Sequence, residues 1–132
     1  FTRLDARINN SANIETSLLI YPEAYQKVDN CLELLDYANQ LLEDLNYTGT
    51  YQIASFHPDY RFDGSTENDA SNFSNRSPYP MLHLIREVSL EKALASYSAS
   101  HRNIEQIPEN NIKKLQAIGY EEMQAKLKKL TT

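Results

Sequence analysis

Cysteine is nearly absent, glycine is scarce, and positive charge is outweighed by negative. Each shortage closes off a class of function. With one cysteine, Cys31, in 132 residues, the chain forms no disulfide within itself and builds no Cys-rich metal site. That usage fits a reducing compartment. Three glycines argue against a backbone phosphate cradle, and no Gly-rich loop, G-x-S-x-G elbow or H-E-x-x-H helix occurs. Lysine and arginine number 13 against 18 aspartates and glutamates, a net charge of -5. A nucleic-acid surface takes its affinity from neutralising phosphates, so nucleic acid is not an expected partner. No apolar stretch approaches the ~20 residues that span a bilayer, and no signal-peptide pattern opens the sequence. A cytoplasmic address without a membrane partner is the expectation.

What is present is an ordinary globular composition, 41% hydrophobic and 23% charged, in a chain long enough to bury one core as a single domain, 1–132. Residues 1–13, FTRLDARINNSAN, read as a loose polar lead-in. ETSLLIY follows, with an apolar run at 18–21 stopped by Pro22, which predicts a short buried strand. From 24 to 46 the period changes. Val28, Leu32, Leu35, Ala38, Leu42 and Leu45 recur every three or four residues, as on one face of a helix. Cys31 belongs to that apolar face and reads as a buried, inert thiol. TYQIASF then predicts a second strand.

A strand–helix–strand order calls for a right-handed crossover joining parallel neighbours. The expected fold is therefore α/β, or α+β, with a small sheet containing a parallel pair and a helix-rich C-terminal half. Two strands make no stable sheet alone. Others must come from the lead-in, another chain as in a homo-oligomer, or an N-terminal segment the sequence lacks. Beyond the second strand, Met81, Leu84, Ile85 and Val88 share one helical side, predicting a helix from about 81. Ser89 caps LEKALASY, Pro108 and Gly119 bracket IPENNIKKLQAIG, and residues 120–132, YEEMQAKLKKLTT, form a lightly docked helical tail.

Any chemistry concentrates in FHPDYRFDGSTENDASNFSNRSPYPMLHLIRE, residues 56–87. A loop this long inside a compact domain is functional or disordered, and Tyr60, Phe62 and Phe73 provide anchors that argue for order. His57 follows the second strand, where sites on parallel sheets are expected. Asp59 is close enough to orient its ring, as a general base requires. His83 and Glu87 fall at i and i+4 of the expected helix. With His57 and Asp59 they form a candidate four-ligand set for a divalent metal, although Arg86 would set a positive charge beside it. No cofactor is otherwise predicted. Arg76 and Arg86 can grip a small anionic molecule in planar forks, with Asn75 and Ser77 adding donors and Tyr60 lining the pocket. Equally, these groups can cap and tie the loop. DYRFDG resembles the start of a calcium loop, but Arg61 takes a ligand position and Ala70 stands where the bidentate glutamate belongs. Asn9, Asn46, Asn72 and Asn75 begin N-x-S/T triplets, without meaning in a chain that is not secreted.

YQIASFHPDYRFDG, NRSPYPMLHLIRE and IPENNIKKLQAIG together resemble a group of bacterial cytosolic proteins catalogued as domain of unknown function 1415. The similarity runs from about residue 14 to 119. It implies a bacterial source and a cytoplasmic address, and it implies no particular activity. His57, Asp59, Tyr60, Asn75, Arg76, Ser77, His83, Arg86 and Glu87 match the family's blocks. Arg61 stands where glutamine is expected, and nothing matches the family's N-terminal Cys-Pro-Phe segment. Two functions follow as expectations. One is a small-molecule site performing acid–base hydrolysis, with His57, Asp59 and His83 catalytic. The other is a non-catalytic interaction or scaffold protein whose His/Arg loop is structural.

Overall fold

The computed structural model describes residues 15–131, so the lead-in expected at 1–13 lies outside the described residues. Three strands form one sheet: β1 (Thr16–Ile20), β2 (Tyr51–Phe56) and β3 (Met81–Arg86). The helices are α1 (Val28–Asp44), α2 (Glu87–Ala99), α3 (Ile107–Ile118) and α4 (Tyr120–Lys129). A 3-10 turn, Ala70–Ser74, sits within the long loop, and a shorter one, Ile104–Gln106, precedes α3.

Strand order is β1-β3-β2, with β3 antiparallel to both neighbours. The expected parallel pair is thus corrected. β1 and β2 run in the same direction, as the crossover demands, but the chain leaves a gap between them and β3 fills it from the opposite direction. The fold is α+β.

The helix expected from Met81 is likewise corrected to a strand. A short apolar run such as MLHLIR matches both periods. Leu82 and Leu84 are buried while Met81, His83 and Ile85 are half-buried, the alternation of a central strand. Two flanking strands decide the matter, because β3 pairs its own backbone donors and acceptors with both. Helix begins only at Glu87, whose N–H donates to Thr50 O at 3.0 Å.

α1 covers one face of the sheet. Leu42 packs on Tyr51 and Leu84, with Tyr47 and Ile53 against them, and the Tyr47 and Tyr51 rings meet edge to face at 5.5 Å. The stripe that faces the sheet includes Val28, Cys31, Leu35, Ala38 and Leu42, while Leu32 and Leu45 point outward. Cys31 is buried and burial pushes its thiol pKa up, away from the reactive thiolate. α1 ends in a Schellman turn. Asn46 takes the left-handed conformation at φ 59°, Tyr47 N–H donates to Leu42 O at 2.8 Å, and Asn46 N–H donates to Glu43 O at 3.0 Å.

The C-terminal helices pack on the loop rather than on the sheet. α3 lies against the 3-10 turn, and α4 joins it through Tyr120, whose ring is 5.7 Å from Phe73. Gly119, at φ 90°, allows the sharp turn between the two helices. Among the described residues, no helix is long and apolar enough to cross a membrane.

Candidate functional site

The loop leaves β2 at Phe56 and returns at Met81, and its polar side chains bond mostly to its own backbone. His57 is the first tie. Its ring is only 2% exposed, Nδ1 accepts from Asp59 N–H at 3.0 Å, and Nε2 lies 3.0 Å from Tyr25 O. A ring nitrogen that accepts from an amide carries no proton, so Nε2 holds it and donates to Tyr25 O. Both nitrogens are therefore engaged. The group of Asp59 that meets the ring is its backbone amide, which follows Pro58, while the Asp59 side chain is exposed.

Asn72 is the second tie and escaped the sequence reading. It has 0% exposure. Oδ1 accepts from Phe62 N–H at 3.0 Å and Ser65 Oγ–H at 2.9 Å, and Nδ2 donates to Thr66 O at 2.9 Å. Its mark in the sequence is a polar amide directly before Phe73, three residues after the Asp cap. Asp69 supplies that cap, accepting from Ser71 N–H at 2.9 Å. The hydrogen bond from the Ser71 backbone holds its carboxyl below the usual range.

Arg76 is the third tie. Nε donates to Tyr60 O at 2.9 Å and Nη2 to Glu67 O at 3.0 Å. The guanidinium lies 4.8 Å from the Phe73 ring centre and 5.9 Å from that of Tyr120, which joins the loop to α4. Asn75 Nδ2 donates to Ser55 O at 3.2 Å, Asn75 O accepts from His57 N–H at 3.1 Å, and Ser77 Oγ donates to Tyr79 O at 2.6 Å. The Tyr60 ring packs edge to face on Phe62 at 5.0 Å. Arg61 Nε donates to Ser65 O at 2.7 Å.

The structure brings together His57, Asp59, Tyr60, Asn75, Arg76 and Ser77, and separates them from the rest. Arg86 and Glu87 lie at the far end of β3. Phe56 pairs with Met81 whereas Tyr51 pairs with Arg86, five residues or roughly 17 Å along the strand. His83 is midway, on the face opposite α1. Its ring is 6.4 Å from that of Phe56, and Nε2 is hydrogen-bonded to Thr16 Oγ1, which in turn donates to Leu84 O at 3.0 Å. Burial lowers its pKa. Because 81–86 is a strand, His83 and Glu87 share no helical face, and the four-ligand set His57, Asp59, His83 and Glu87 does not assemble. Among the described residues, no group of three or more His, Cys, Asp or Glu side chains is placed to hold a metal ion.

Among the described residues, three cavities border the loop. One, about 460 Å³, lies against the start of α1 and is lined by Asp29, Asp59, Asp63 and Glu67 with Arg61. A second, about 540 Å³, lies against α3 and includes Asp63, Asp69, Ser71 and Asn75. Acids outnumber bases in these two. The third, about 440 Å³, lies between Phe73, Ser74 and the last two helices, and its charged residues are Lys114 and Lys126.

Fold and loop together define a small α+β protein whose loop side chains bond chiefly to backbone groups of the loop and its neighbours. Residues 2–125 match the family model described as "Protein of unknown function (DUF1415)", and the chain belongs to that family. No curated protein and no solved structure matches the chain.

Proposed function

We propose that this chain is a non-catalytic interaction protein and that its His/Arg loop is a structural clamp closing one end of the sheet. The observation that carries this reading is His57, buried, with each ring nitrogen committed to a backbone partner. A general base needs a free nitrogen within reach of a substrate proton. Arg76 supports the same reading, since carbonyl oxygens and aromatic rings occupy the fork that an anion would need. The acidic lining of the two cavities that share Asp63 disfavours an anionic ligand in either of them.

The test follows melting temperature against a panel of phosphates, carboxylates and divalent cations. No saturable rise is expected, and His57→Ala and Arg76→Ala should each destabilise the protein without any ligand. A rise that saturates and disappears in Arg76→Ala would restore the anionic-ligand reading.

A second reading keeps acid–base chemistry but moves it to His83, supported by its half-buried imidazole, depressed pKa and contact with Thr16. Here His83 is the base and the ligand lies on the sheet face opposite α1. Chemical-shift mapping with small esters and amides separates the two readings: perturbation centred on His83, Phe56 and Ala54 would favour the second.

A further inference from the structure

β1 is an edge strand, and its outer edge carries none of the usual protections. From Thr16 to Tyr21 there is no charge, no proline and no bulge. Leu18 and Ile20 are 53% and 48% exposed on the face away from α1. Among the described residues, nothing pairs with this edge.

The hydrogen-bond phase is defined. Tyr21 N–H donates to Pro80 O at 2.9 Å, so by strand alternation the backbone groups of Leu19 and Ser17 face β3. Those of Thr16, Leu18 and Ile20 point outward. On the α1 side, an apolar hollow of about 230 Å³ opens beside β1. Leu19, Leu34, Ala38 and Leu41 line it, and Tyr37, 76% exposed, also borders it. α1 packs chiefly over β2 and leaves this hollow uncovered.

We propose that the outer edge of β1 docks β1 of a second copy of this chain, the two strands pairing antiparallel about Leu19. That register satisfies three demands together. Leu18 of each copy faces Ile20 of the other, which matches outward donors to outward acceptors and makes about four hydrogen bonds. The four exposed side chains, Leu18 and Ile20 from both copies, form one apolar cluster on a single face. Leu19 of each copy sits at the other's hollow. A two-fold contact of this kind is closed, so it removes the open edge from both copies instead of propagating a fibre. Glu15 and Glu23 approach each other at both ends of the ladder, so association strengthens with salt. The contact covers on the order of 500 Å² per copy, less than the roughly 800 Å² of a standard interface, so the dimer belongs to the weak, transient class. The proposal does not depend on the role of the His/Arg loop.

The test is sedimentation of the full chain from roughly 5 to 500 µM, at low and high salt, with hydrogen exchange read at the Leu18 and Ile20 amides. A monomer–dimer equilibrium is expected, strengthened by salt, in which both amides slow about tenfold as dimer forms. Leu18→Lys, at an exposed site, should raise the dissociation constant at least about tenfold. Leu19→Cys in a Cys31→Ser background should cross-link two copies. A monomer at the highest concentration overturns the proposal. So does a dimer whose Leu18 and Ile20 amides stay fast, since that dimer uses another face. So do amides already slow in the monomer, since another segment of the chain then fills the edge. The exchange readout on the unaltered protein decides the matter even if a variant fails to fold.

Discussion

Replacing His57 with alanine tests the clamp most directly. The imidazole makes two hydrogen bonds, to Tyr25 O and from Asp59 N–H. Losing two neutral hydrogen bonds costs about 2 kcal/mol, and stranding two backbone groups adds about 1 to 2 more. The ring is 2% exposed, so the void left behind contributes a further ~1 kcal/mol. The total is about 4 to 5 kcal/mol, or a fall in Tm of about 12 to 20 °C for a domain of this length. His57→Asn keeps an acceptor near the Asp59 amide but does not reach Tyr25, so about half the loss is expected. Urea unfolding followed by circular dichroism, with an unchanged m value, measures both variants. If His57→Ala unfolds within about 1 kcal/mol of the unaltered protein, the histidine is no clamp and the reasoning from its buried hydrogen bonds fails.

Three other outcomes follow from the same geometry. Asn72→Ala strands Phe62 N–H and Thr66 O and should cost about 2 to 4 kcal/mol in urea unfolding, with faster amide exchange confined first to 57–78. Arg76→Lys keeps the charge but loses the planar fork and its stacking on Phe73 and Tyr120. It should cost about 1 to 2 kcal/mol and raise proteolytic nicking near Gly119. The folded pKa of His83 lies below its ordinary 6.5, so the unfolded chain binds more protons between the two values. Its contribution to stability is complete above about pH 6.5 and declines as pH falls toward the folded pKa. His83→Gln should flatten that part of the stability-versus-pH curve measured by urea titration, and an unchanged slope would refute the assignment.

Much of α1 was legible because its apolar residues repeat at helical spacing through five turns, and Asn46 and Gly49 mark its end. The β2 strand and the bracketing of α3 by Pro108 and Gly119 were legible for similar reasons, since turn and cap residues act on their immediate neighbours. Segment 81–86 was not. Met81, Leu84 and Ile85 satisfy a helical period, and only the pairing of β3 with strands ending some 60 and 25 residues earlier selects the extended form. The parallel pair failed for a related reason. A crossover sets the direction in which β2 returns, but not whether a later strand will insert beside β1.

The loop divides in the same way. Its composition told where the polar groups are, and family likeness grouped six of them with three from the strand and helix that follow, yet neither revealed their partners. His57, Arg76 and Asn72 spend their hydrogen bonds on carbonyls and amides at Tyr25, Tyr60, Glu67, Thr66 and Phe62. Backbone groups exist at every position and leave no trace in side-chain identity. Helix periods and caps are short-range and can be read along the chain. Strand partners and the satisfaction of buried polar groups depend on contacts between distant segments, and only the folded arrangement decides them.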